Sequence, residues 1–210
     1  MKSDTNSLED LQAIRKIMEE SSKALTLSGL AGVFAGLAAI AGALVAYFLI
    51  LHNGSIRYED YVTLPAQEAA LVRNRLIVDA IFVMMLSAIF AFWFSIRKAR
   101  RTGKNFLTPI SKRMLLNLFI PLVTGGVFAL VLLLQDNIQL IVPCFLIFYG
   151  LALVNAGKFT FGEIFYLGLL EILTGLISAF VPGWGLAFWI FGFGILHIIY
   201  GLAVYRKYEA

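Results

Sequence analysis

Apolar residues in this chain run in long blocks separated by short polar breaks, unlike the alternation of half-buried strands or the one-sided stripe of a soluble helix. Six blocks, Leu25–Leu51, Leu76–Ile96, Met114–Gln135, Ile138–Ala156, Ile164–Val181 and Leu186–Tyr205, approach or exceed the ~20 residues a helix needs to cross a hydrocarbon layer about 30 Å thick. Backbone N–H and C=O groups find no water there and must pair within the segment, and the shorter alternating strands of a membrane barrel are missing. The pattern predicts an all-α polytopic transmembrane bundle of six helices. The first block begins at Leu25 and is too long for the core of a cleavable signal peptide, so it too is expected to be a span.

Ahead of it, Ser7 and Asp10 form an S-x-x-D capping box, and Leu8, Leu11, Ile14, Ile17 and Met18 follow at helical spacing. Residues 1–24 are therefore expected to form a short amphipathic cytoplasmic helix, centred on residues 8–20, ahead of a membrane domain over 25–210. Its basic residues are offset by Asp4, Glu9, Asp10, Glu19 and Glu20, so a protein partner or the bundle itself suits it better than anionic lipid. In the first span Ser28, Gly32, Ala35, Gly36, Ala39, Gly42, Ala43 and Ala46 recur every three or four positions. That stripe lets another helix approach closely, either within the chain or in a second copy. Asn53-Gly54-Ser55 matches a glycosylation sequon, but so close to a span it reads as a chance match.

Composition agrees with this picture. The chain is 60% hydrophobic and 14% charged, where soluble domains run near ~45–50% and ~25%. The net charge of +4 gathers in the stretch 97–113, where Arg97, Lys98, Arg100, Arg101, Lys104, Lys112 and Arg113 meet no acidic residue. Nucleic acid is not the expected partner, since no recognition motif surrounds these residues. Cytoplasmic retention of positive loops places 97–113, and with it both termini, in the cytoplasm, leaving only Arg57, Arg73 and Arg75 outside. The same residues are candidate contacts for anionic lipid headgroups. The single cysteine, Cys144, lies inside the fourth span, which excludes a disulfide framework within one chain.

The last four spans read as a duplicated hairpin. Tyr149-Gly150-Leu151-Ala152 recurs as Tyr200-Gly201-Leu202-Ala203, and Leu122-Val123-Thr124-Gly125 parallels Ile172-Leu173-Thr174-Gly175, at nearly equal offsets, as in a parallel repeat. The segments FYGLALVNAGK at 148–158 and GFGILHIIYG at 192–201 resemble those of an uncharacterised family of bacterial six-span inner-membrane proteins, over most of the chain. The hairpin Leu173–Tyr205, turning at Pro182-Gly183, is similar to the repeated hairpins of HdeD-like acid-resistance membrane proteins. The first resemblance implies a bacterial inner (cytoplasmic) membrane.

Ionisable side chains within spans are costly, by ~2.5–3.5 kcal/mol for a central Asp, Lys or Arg, and ask for partners. Asp79 follows Arg75 by four residues, as an interfacial ion pair would. Glu171 and His197 lie thirteen residues either side of Trp184, so an antiparallel hairpin sets them at equal depth. Gly168, Glu171, Gly175 and Ser178 share one helical face, and Gly194, His197 and Gly201 another. Folding the hairpin is expected to set Gly168 against Gly201 and Gly175 against Gly194. The pair is then either a structural polar clamp or a proton- or substrate-linked site.

No H-E-x-x-H, G-x-S-x-G or P-loop sequence occurs, and with only two histidines, His52 and His197, a bis-histidine haem is not expected. The sequence thus leads to the expectation of a non-enzymatic module, structural or regulatory, with no catalytic residues, metal or cofactor. The alternative is a small secondary transporter or proton-linked permease built on Glu171 and His197, with a water-accessible cavity as the discriminator.

Overall fold

The structure, a computed structural model, describes residues 27–51, 63–103, 105 and 107–210. The amphipathic segment 8–20, His52, the sequon and Lys104 lie outside the described residues. Among the described residues there is no strand, and six helices are long and apolar enough to cross a membrane. They are α1 (Gly29–Ile50), α2 (Ala66–Arg101), α3 (Pro109–Leu134), α4 (Ile138–Gly157), α5 (Gly162–Phe180) and α6 (Gly185–Tyr208).

Each helix covers one of the apolar blocks, but α2 outruns its block at both ends. Its 36 residues span about 54 Å, so it projects well beyond a ~30 Å hydrocarbon layer. Pro65, with ψ 141°, sets its start, and Gly103, in the left-handed region at φ 64°, follows its end. Thr108 then caps α3, its hydroxyl accepting from the Ser111 N–H at 3.1 Å, with Pro109 in the first helical turn. Between α5 and α6 the chain reverses at Pro182-Gly183, where Gly183 takes φ 93°, a conformation a side chain would strain.

Two helix pairs close on glycine. Between α4 and α5, an added Cβ on Gly150 would sit 2.6 Å from the Gly168 carbonyl, and one on Gly168 would sit 2.7 Å from the Gly150 carbonyl. Between α1 and α6, the same reciprocal approach joins Gly29 and Gly201 at 2.5 and 2.6 Å. Such proximity brings backbone dipoles and many dispersion contacts together, which drives helix association where lipid removes the hydrophobic incentive. The repeated Tyr-Gly motif thus has a structural meaning, since Gly150 and Gly201 each form one reciprocal crossing.

The glycine partners differ from those expected of a tight α5–α6 hairpin. Gly168 packs on α4 and not on Gly201, and Gly175 meets Leu146 and Ile147 of α4 and not Gly194. Gly194 instead meets Ile40 of α1, while Gly32 and Gly36 pack within the chain against α6. The reason is competition: α4 offers α5 a glycine-lined face, and α1 offers one to α6. Consequently α5 and α6 touch only lightly, α2 packs mainly on α1, and α3 mainly on α4. Two three-helix units result, α2–α1–α6 and α5–α4–α3, meeting along α5 and α6.

Replacing Gly150 or Gly201 by Ala should lower stability in detergent by about 1–3 kcal/mol, as overpacked cores do. Gly126→Ala, with nothing within 4 Å of its added Cβ, should leave thermal unfolding unchanged. Equal unfolding temperatures for all three variants would refute the crossings.

Candidate functional site

Glu171 lies midway along α5 and is 0% exposed, and His197 follows directly on a π-helical stretch of α6, Ile190–Leu196. The wider π turn shifts the helix face by one residue, a distortion often found at functional sites. It brings His197 Nδ1 to 3.3 Å from Glu171 Oε1 and 3.1 Å from the Gly192 carbonyl. Gly192 also makes room for the acid, because an added Cβ there would sit 2.7 Å from Glu171 Oε2 and 2.5 Å from Leu146 Cδ2.

The third member of the site comes from α4: Tyr149 Oη lies 2.8 Å from His197 Nε2. A carbonyl only accepts, so Nδ1 carries the proton donated to Gly192, and Nε2 pairs with the Tyr149 hydroxyl, which is able to donate or accept. Both ring nitrogens are thereby satisfied without Glu171. Tyr149 and Phe193 flank the ring at centroid distances of 5.3 and 6.1 Å, and the Trp189 Nε1–H donates to the Ala39 carbonyl at 3.3 Å.

Glu171 is left unsatisfied. It approaches His197 within ion-pair distance, yet neither carboxyl oxygen has an aligned hydrogen-bond partner among the described residues. An uncompensated carboxylate in such a place costs several kcal/mol. On the same buried face of α5, Thr174 and Ser178 continue toward the Pro182–Gly183 turn. On the other side, Leu153, Ile164, Leu167 and Leu196 form an apolar core against which Tyr149 and Tyr200 pack.

The remaining sequence candidates fall elsewhere. Asp79 is half-buried on α2, its carboxylate facing Gly42 of α1, and no ion pair joins it to Arg75, which is exposed. Arg73, two residues earlier, reaches Asp136 in the α3–α4 turn at 3.4 Å instead. Asp79 is held against Gly42 of α1 while Arg75 stays exposed, so the four-residue spacing did not suffice to pair them.

Among the basic residues, Arg97, Arg100, Arg101, Lys112 and Arg113 are exposed, as headgroup contacts must be. Lys98 is not. It is drawn inward to donate to the Leu27 carbonyl at 2.7 Å and to Glu209 Oε1 at 3.2 Å, with its side chain 12% exposed. Glu209 also accepts from the Gly29 N–H at 2.6 Å and from Ser28 Oγ at 3.0 Å, so a carboxylate caps α1 and claims the lysine.

Tyr149 and Gly192 were not singled out as site residues in the sequence. Tyr149 was visible as half of the repeated Tyr-Gly motif, whereas nothing local marks Gly192 beyond its place in a glycine-rich run. Comparison with protein-family models, curated proteins and solved structures finds no match for this chain.

Glu171→Met, which removes the unmet group while keeping volume, should raise stability in detergent by about 1–3 kcal/mol. Tyr149→Phe, which strands Nε2, should lower it by a similar amount. If thermal unfolding shows Glu171→Met to be the destabilised variant, the carboxyl is bonded in solution and this geometry is wrong.

Proposed function

We propose that this is a proton-linked membrane protein of the small-permease kind, non-enzymatic, in which Glu171 is the protonatable group. The observation that carries the proposal is the fully buried Glu171 carboxyl with no aligned hydrogen-bond partner among the described residues. A static structural or regulatory module gains nothing from such a group, whereas a protein that loads and unloads a proton needs one that is stable in only one charge state per conformation.

The site geometry supports a specific switch. With Glu171 protonated, His197 Nδ1–H stays on the Gly192 carbonyl. When the proton leaves, the carboxylate competes for that same N–H, which lies 3.3 Å away. Transfer of the N–H from Gly192 to Glu171 releases a carbonyl inside the π-helical stretch and biases α6 toward another winding. Glu171 and Tyr149 belong to one glycine-closed unit, and His197 and Gly192 to the other, so the proton sits where one unit would rock against its neighbour. The distribution of basic residues supports an arginine-rich end facing the cytoplasm, in a bacterial inner membrane as the family resemblance implies.

In proteoliposomes loaded with a pH-sensitive dye, an imposed proton gradient should dissipate through the wild type and persist with Glu171→Gln. Equal rates for wild type and Glu171→Gln would return the protein to the static reading. Orientation has its own test: single cysteines at Lys112 and Gln135 should react with impermeant reagent from the cytoplasmic and outer faces respectively, and reaction of both from one face would overturn the topology.

A further inference from the structure

On the lipid-facing side of α2, residues Ala88, Ile89, Phe92, Trp93, Ile96, Arg97 and Arg100 line an open groove of about 840 Å³. Its length along the helix is about 18 Å, close to the thickness of one leaflet of a ~30 Å layer. The groove is apolar for most of that length. At its end, where α2 leaves the membrane, Arg97 and Arg100 are both exposed and lie one turn apart on the same face. Trp93, 55% exposed, sits one turn before Arg97, the depth at which indole rings prefer the headgroup boundary.

We propose that this groove is a binding site for one anionic phospholipid. Its acyl chain lies along Ile89, Trp93 and Ile96, and its phosphate is held by Arg97 and Arg100. Lys98, between them in sequence, is withdrawn to Glu209, so the two arginines are the cations the groove itself presents. Charge complementarity selects the occupant. In a membrane, a second copy would meet this face about a two-fold axis along the membrane normal, and that sets Arg97 and Arg100 against their own duplicates. A phosphodiester instead offers each guanidinium an acceptor.

The experiment compares thermal unfolding of the full chain in neutral detergent with added phosphatidylglycerol, phosphatidylcholine of the same acyl chains, or inorganic phosphate. Phosphatidylglycerol alone should raise the unfolding temperature. Arg97→Gln/Arg100→Gln should weaken the apparent affinity by roughly thirty-fold, at about fivefold per lost charge, while Lys112→Gln/Arg113→Gln keeps it. Should the arginine variant fold poorly, bromine-labelled lipids provide a second readout. In a Trp184→Phe/Trp189→Phe background, brominated phosphatidylglycerol should quench Trp93 at a lower mole fraction than brominated phosphatidylcholine. Equal quenching by both lipids, a shift produced by phosphate alone, loss of the shift in the Lys112/Arg113 variant, or oxidation of Ile89→Cys to disulfide-linked dimers that neither lipid suppresses when added beforehand would each overturn the proposal.

Discussion

Close backbone approach at two glycine crossings is the constraint on which the rest of this structure depends. In hydrocarbon, burying leucine against leucine gains little over leaving it in lipid, so specificity passes to shape and backbone proximity. Gly150 against Gly168 and Gly29 against Gly201 provide that proximity, and each position is closed to any side chain. Because each crossing uses up the small-residue face of its helices, α5 and α6 cannot also pack tightly on each other. Their loose contact follows from the strength of the other two.

The polar site exploits that loose seam. A histidine with both nitrogens satisfied, beside a carboxyl with no aligned partner among the described residues, is an unequal division of hydrogen bonds that relaxation within one conformation would normally remove. Here the Nδ1–H is aligned with the Gly192 carbonyl, 3.1 Å away, while Glu171 Oε1 stands 3.3 Å from the same nitrogen. One donor facing two acceptors is the element on which the proposed switch would turn.

Much of the architecture was legible in the hydrophobic pattern because hydrocarbon thickness imposes its length on every span. Depth matching across Pro182–Gly185 was legible for the same reason, and it brought Glu171 near His197. Lateral packing was not. A glycine face on α5 suits α4 and α6 alike, and which neighbour wins depends on the whole interface, so Gly168 and Gly175 could not be assigned from spacing. The π stretch before His197 leaves no periodicity signal over so few residues, which hid both Gly192 and the tautomer. Lys98 was misread among the lipid-facing cations because its partner, Glu209, lies 111 residues away, and the Arg75–Asp79 spacing misled because Asp79 is held against Gly42 of α1 while Arg75 stays exposed.

The two ends of the bundle are tied unequally, and this bears on which way the proposed switch would open. At the arginine-rich end, Glu163 at the start of α5 accepts from Lys207 at 2.7 Å and from the Tyr208 hydroxyl at 3.2 Å. Phe161 stacks on Tyr208 at 4.3 Å, with Lys98 5.0 Å above its ring. These contacts bridge the two units where stacking and cation–π attraction add to charge, and the apolar core around Leu167 and Leu196 continues them toward the site. At the far end, Arg73–Asp136 links the units across 3.4 Å with the aspartate side chain 80% exposed, a geometry in which screening leaves little net attraction. Also at that end, among the described residues, are the Pro182–Gly183 turn and the approach of Val142 on α4 to Gly185 on α6, where an added Cβ would sit 3.4 Å from the valine. A rocking motion would therefore pivot at the arginine-rich end and part at the other, where Ser178 and Thr174 lead along α5 to Glu171. Under the proposed function, proton entry by that route would keep the cytoplasmic side sealed in the proposed orientation.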